Sequence, residues 1–131
     1  MDIFDNFDET IARFDREIAI DNDNHHAWYN RGIALSKLGK FDEAIASFDR
    51  AIALQPDDGD AWNNRGVALE NLGEFDEAIV SFDKAIEIKP DQVAWYNRGV
   101  LLGNLGKLDE AISSYDHAIA IQPDYHDAWN N

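Results

Sequence analysis

Residues 25–58 read HHAWYNRGIALSKLGKFDEAIASFDRAIALQPDD, and the chain then states nearly the same thing twice more. Residues 59–91 read GDAWNNRGVALENLGEFDEAIVSFDKAIEIKPD, and residues 92–125 read QVAWYNRGVLLGNLGKLDEAISSYDHAIAIQPDY. Tryptophans stand at 28, 62, 95 and 129, in steps of 34, 33 and 34. Gly32, Gly66 and Gly99 keep that step, as do Gly39, Gly73 and Gly106, and Pro56, Pro90 and Pro123. A fixed period in this range is the signature of a stacked-repeat architecture. One residue is missing between Pro90 and Trp95, in the Asp91–Val93 turn, where a length change is tolerated best.

Within a unit the apolar spacing is helical. Trp28, Gly32 and Leu35 step as i, i+4, i+7, and Phe41, Ala44, Ile45, Phe48, Ala51 and Ile52 mark one face at a period of 3.6. Gly39 stands between the two halves, where a left-handed residue ends a helix. Asp42 and Glu43 follow in the first turn of the second helix, favourable against its dipole. Pro56 then marks a stop, and no β-branched alternation or Asn-Gly hairpin points to a strand. The spacing predicts helices over 3–20, 25–38, 41–54, 59–72, 75–88, 92–105 and 108–121. Small residues such as Gly32, Ala44 and Ala51 let the two helices of a hairpin approach while Trp28 and Phe48 fill the space beside them. One hairpin cannot cover its own apolar face, so units must stack. The fold class is therefore all-α, an α-solenoid of antiparallel helix hairpins.

These residues resemble the tetratricopeptide repeat (TPR) pattern of Trp, Leu-Gly, Tyr, Gly, Tyr, Ala, Phe, Ala and Pro. It runs Trp28, Arg31-Gly32, Leu35, Gly39, Phe41, Ala44, Phe48, Ala51 and Pro56 in the first repeat. The second carries Trp62, Arg65-Gly66, Leu69, Gly73, Phe75, Ala78, Phe82, Ala85 and Pro90, and the third Trp95, Arg98-Gly99, Leu102, Gly106, Leu108, Ala111, Tyr115, Ala118 and Pro123. The chain divides as an orphan second helix in 1–24, repeats at 25–58, 59–91 and 92–125, and a stub at 126–131. One departure is systematic: the family's usual leucine before the first glycine is Arg31, Arg65 and Arg98. An aspartate recurs 16, 16 and 15 residues upstream as Asp15, Asp49 and Asp83. A half-buried arginine needs a partner, so the expectation is an inter-repeat ladder of Asp15–Arg31, Asp49–Arg65 and Asp83–Arg98. The rival reading is that these arginines hold an anionic ligand.

The resemblance implies a right-handed superhelix whose concave wall is built from the first helix of each hairpin. Carried over by spacing from the tryptophans, the wall positions are Tyr29, Asn30, Ile33 and Lys37 in the first repeat. The second offers Asn63, Asn64, Val67, Glu70 and Asn71, and the third Tyr96, Asn97, Val100 and Asn104. Asn30, Asn64, Asn97 and Asn131 stand two residues after each tryptophan, similar to the asparagine ladder of the O-linked N-acetylglucosamine transferase repeats, where amides hold an extended peptide by its backbone. An amide offers both donor and acceptor to a peptide bond whatever its sequence. The alternative is that each asparagine bonds a neighbouring helix and sets repeat geometry. The carboxylate clamp of co-chaperone repeats is not matched, since Tyr29, Ile33, Val93 and Asn97 hold its places and only Asn64 fits. Ile33, Val67 and Val100 form an aliphatic stripe instead.

Composition narrows the function further. Eleven Lys and Arg against 26 Asp and Glu give a net charge of −15, which repels nucleic-acid phosphates and anionic lipid heads. With 45% hydrophobic and 11% aromatic residues the chain is nonetheless equipped to pack. It has no cysteine, hence no disulfide frame and no thiol nucleophile. The N-terminal MDIFDNFDETIARF lacks a basic leader followed by an apolar stretch, and no apolar run approaches a membrane span. A cytoplasmic location is expected. His25, His26, His117 and His126 have no recurrent Ser or Asp partner at triad spacing, so no catalysis is expected. The pairs Asp42-Glu43, Asp76-Glu77 and Asp109-Glu110 recur at helix starts and read as capping. Asp21-Asn22-Asp23-Asn24 begins like a calcium loop, but His26 and Gly32 stand where Gly and a bidentate Glu belong. The expectation is a non-catalytic protein–protein interaction scaffold without metal or cofactor. The alternatives are a self-assembly module stacking into homo-oligomers through its uncapped ends, and a regulatory segment of a larger protein.

Overall fold

The structure, a computed structural model, describes residues 3–121, with side chains from Asn6 onward. Its helices are α1 (Ile3–Ile20), α2 (His25–Lys37), α3 (Phe41–Leu54), α4 (Gly59–Asn71), α5 (Phe75–Ile88), α6 (Gln92–Asn104) and α7 (Leu108–Ile121), and no strand occurs among the described residues. The expected stub at 126–131, with Asn131 and His126, lies outside them. The first helix of each hairpin ends one residue earlier than expected. Leu38, Leu72 and Leu105 are its closing residues, still helical and still donating to carbonyls of the last turn.

The helix boundaries follow from local chemistry. Gly39, Gly73 and Gly106 sit at φ of 79°, 82° and 80°, the left-handed region that an L side chain resists. With Gly39 so turned, the Lys40 amide reaches back to the Leu35 carbonyl at 2.9 Å and closes the helix end. The caps of α2, α4 and α6 are Asn24, Asp58 and Asp91, whose side chains accept from the amides of Ala27, Ala61 and Ala94 at 3.1, 3.2 and 3.0 Å. This corrects the reading of the acid pairs. Asp42-Glu43 and Asp76-Glu77 lie in the first turn and serve the dipole, while the cap residues Lys40 and Glu74 make no side-chain cap bond. The Asp21–Asn24 run is likewise a turn: the Asp21 carboxylate accepts from the Asp23 amide, and Asn24 caps α2. The missing residue falls between α5 and α6, where three residues make the link that takes four between α3 and α4.

Packing repeats with the sequence. Phe48 and Phe82 are fully buried, and Ala44, Ala51, Ala78 and Ala85 are buried around them. A Cβ on Gly32 or Gly66 would lie 2.6 Å from the ring of Phe48 or Phe82, and one on Gly99 would lie 2.7 Å from Tyr115. These glycines are therefore seats for the aromatic ring of the paired helix. Phe14 of α1, in register with Phe48, is also buried. Trp28, Trp62 and Trp95 differ from expectation: they are half-buried at the edge of the stack, not core fillers. Trp28 and Trp62 donate their indole N–H to the carbonyls of Asn22 and Pro56, and Arg31, Arg65 and Arg98 lie over the rings of Trp28, Trp62 and Trp95 at about 6 Å.

The hairpins are joined by the expected ladder. Arg31, Arg65 and Arg98 donate through Nε to Asp15, Asp49 and Asp83 at 2.7, 2.6 and 2.7 Å. Each guanidinium also donates through Nη1 to a fully buried hydroxyl of its own hairpin, Ser47, Ser81 or Ser114, at 2.6, 2.6 and 2.7 Å. One arginine thus ties three helices, and no anionic ligand is needed to neutralise it. First helices also touch one another, α2 against α4 and α4 against α6, with no comparable contact from α3 to α5 or from α5 to α7. The stack is tighter along its first helices, which form its inner side.

Candidate interaction groove

Side chains bridge the inner side at a regular offset. Asn64 of α4 donates through Nδ2 to the Tyr29 hydroxyl of α2 at 3.0 Å, and to the Asp60 carbonyl of its own helix at 3.0 Å. Asn97 of α6 donates to the Asn63 side-chain oxygen of α4 at 3.2 Å. In both cases the residue two past a tryptophan bonds the residue one past the previous tryptophan. Burial, with Asp60 and Asp58 nearby, pushes the Tyr29 phenol above its ordinary pKa, so it stays protonated. Asn30 is exposed, and the described residues place no such partner against it.

Below these bridges an open hollow of about 520 Å³ separates α4 from α6. It is lined by Val67, Glu70 and Asn71 of α4, Asn97, Val100 and Asn104 of α6, and by Phe75 and Leu105 near the hairpin turns. The expected wall positions of the second and third repeats therefore meet largely in one place. Asn71 is exposed and donates to the Val67 carbonyl at 2.8 Å, and Asn104 is exposed. Glu70 is half-buried, and burial raises its pKa above the ordinary glutamate value.

The first-repeat positions lie elsewhere. Tyr29 lines a hollow of about 550 Å³ with His25, His26, Gln55, Asp57, Asp58 and Asp60, at the N-terminal ends of α2 and α4. There His25 Nε2 lies 3.0 Å from Asp58 Oδ2, while the other carboxylate oxygen of Asp58 caps α4. Ile33 packs half-buried on the cluster of Leu35, Ala44 and Phe48, and Val67 on that of Leu69, Ala78, Phe82 and Leu101. Lys37 is exposed, with its ammonium 5.8 Å from the Phe7 ring centre on α1. Asn63 lines a smaller hollow of about 240 Å³ with Asp60, Lys89 and Asp91. Tyr96 packs its ring 5.9 Å from that of Tyr115. Sequence reasoning missed the serines Ser47, Ser81 and Ser114, whose recurrence at the same period was the available signal.

The tetratricopeptide repeat pattern matches residues 29–93 and again 93–125, a stretch that takes in nearly all of the three hairpins between His25 and Ile121. This chain belongs to the tetratricopeptide repeat family. Among solved structures it is similar to MamA, with 26% identity, 98% of this chain and 80% of that one covered, and a TM-score of 0.89. It is also similar to the first TPR of Spaghetti (RPAP3) bound to the HSP90 peptide SRMEEVD, at 26% identity and a TM-score of 0.77, over 81% of this chain and 85% of that one. The Arabidopsis OM64 TPR domain shares the fold, at 24% identity, a TM-score of 0.78 and coverages of 81% and 88%. No curated protein matches the sequence. Among the described residues no helix is long and apolar enough to cross a membrane, and no cluster of three metal-ligating side chains occurs.

Proposed function

We propose that this TPR chain is a non-catalytic protein–protein interaction scaffold that holds an extended peptide segment on its inner side, between α4 and α6. The observation that carries the reading is the α4–α6 hollow, where exposed amides of Asn71 and Asn104 flank the aliphatic pair Val67 and Val100. An apolar floor with a few polar groups is what a recognition groove requires. The likeness to a TPR solved with a bound peptide supports the same use of the fold. The bridges Asn64–Tyr29 and Asn97–Asn63 hold the wall's shape, which leaves for a peptide backbone the Asn104 amide and the part of the Asn71 amide not used on the Val67 carbonyl. Affinity for a short segment is expected near micromolar, about −8 kcal/mol. The test is fluorescence anisotropy with peptides selected on the full chain from a random display library. Asn104→Ala with Asn71→Ala weakens them severalfold at unchanged melting temperature; equal binding moves the site off this wall.

A second reading, self-assembly, is favoured by α7. Leu108 and Ile112, one turn apart, are 64% and 56% exposed, although Ile45 and Ile79 in register with Ile112 are half-buried against the core. Light scattering over a concentration series separates the readings, since a constant monomer mass excludes assembly through α7.

A further inference from the structure

Of the eight residues lining the α4–α6 hollow only Glu70 is charged. Its place in the repeat is unusual. The paired acids at helix starts and the ladder aspartates Asp15, Asp49 and Asp83 recur in every unit, but the positions in register with Glu70 are Ser36 and Gly103. A carboxylate present once is not part of the common repeat packing. Nor does the fold use it: the Glu70 side chain has no hydrogen bond or ion pair among the described residues, whereas the half-buried Arg31, Arg65 and Arg98 are each doubly bonded. The one cation among the expected wall positions, Lys37, lies over Phe7 of α1 and not in this hollow. A partly desolvated, unpaired carboxylate beside Val67 and Val100 is an incomplete arrangement. The matching group is a cation on an aliphatic stem.

We infer that this hollow selects a peptide segment carrying a lysine or arginine beside an aliphatic residue, with the Glu70 carboxylate as counter-ion to the cationic head. The inference rests on the peptide-scaffold reading and gives the partner its chemistry. Burial already raises the Glu70 pKa with no opposite charge to lower it, so an incoming cation meets an acceptor whose water is partly removed. The aliphatic neighbour of the cation seats on the Val67–Val100 pair. The net charge of −15 adds a field that draws basic segments and repels acidic ones.

The experiment pans a random peptide display library separately on the full chain and on its Glu70→Gln and Glu70→Lys variants. The strongest wild-type peptide is then measured on all three by anisotropy at low and high salt. Wild type selects peptides with Lys or Arg next to an aliphatic residue. Glu70→Gln, a neutral isostere, loses about tenfold in affinity and most of the salt dependence, while Glu70→Lys enriches acidic peptides. Wild-type peptides without a basic residue, or binding to Glu70→Gln within twofold of wild type, overturn the inference. If those peptides still weaken on the Asn71 and Asn104 double variant, the scaffold reading survives alone. If no peptide is enriched on any form, both fall.

Discussion

Replacing Arg65 by the leucine usual in the family isolates the contribution of one rung of the arginine ladder. Arg65 joins α3, α4 and α5, donating to Asp49 at 2.6 Å and to Ser81 at 2.6 Å. The two contacts are unequal. Asp49 is 53% exposed, so the ion pair contributes about 0–1 kcal/mol. Ser81 is fully buried, and a buried hydroxyl left without its partner costs about 1–3 kcal/mol. Arg65→Leu should therefore destabilise by about 1–4 kcal/mol, most of it from the hydroxyl, whereas Asp49→Ala should cost less than about 1 kcal/mol. Adding Ser81→Ala to Arg65→Leu removes the orphaned hydroxyl and should recover about 1 kcal/mol or more. The assay is urea unfolding followed by circular dichroism and by tryptophan fluorescence, since Arg65 lies over Trp62. If the double variant is no more stable than Arg65→Leu alone, or if Asp49→Ala costs as much as Arg65→Leu, the hydroxyl is not the dominant partner and the reasoning fails.

Gly66→Ala drives a Cβ to within 2.6 Å of the Phe82 ring and should destabilise by about 1–3 kcal/mol, while at Gly103 the same methyl finds Ala111 at 3.8 Å and should stabilise by about 0.5–1 kcal/mol. Thermal unfolding that gives both substitutions one sign would contradict the ring-seat account. Because burial raises the folded-state pKa of Glu70, native chain binds that proton more tightly than unfolded chain. The resulting stability is complete below the unfolded pKa and is lost as pH rises through the higher folded value. Glu70→Gln should thus melt above wild type at neutral pH, with the gap closing by about pH 4; a gap that widens on acidification reverses the sign.

Much of this fold is legible because a repeat protein states one physical solution several times. The hairpins, the left-handed Gly39, Gly73 and Gly106, and the Asp–Arg ladder all follow from residues recurring at one period, so a coincidence in one unit is checked by the next. The Ser47, Ser81 and Ser114 contacts escaped notice because a small polar residue on a helix reads as surface, and only the fold shows it buried beside a guanidinium. The acid pairs drew attention away from the true caps, since Asp42 and Glu43 are conspicuous while Asn24 and Asp58 look like ordinary turn residues. Trp28 suggested core by its size, yet its N–H must reach the Asn22 carbonyl, which holds the ring at the edge. The inner wall was legible as a set of positions but not as a shape. The Asn64–Tyr29 and Asn97–Asn63 bridges depend on the offset between neighbouring hairpins, a quantity no single repeat encodes.

If the stacked hairpins hold a partner, their first helices must be free to receive another polypeptide. Amide chemical-shift mapping of labelled protein, titrated with a display-selected peptide, tests it most directly. The largest shifts should fall on α4 and α6, at Glu70, Asn71, Val100 and Asn104, with α3 and α5 nearly silent. Shifts centred on the outer faces of α3 and α5 would place the partner on the opposite side of the stack and contradict it.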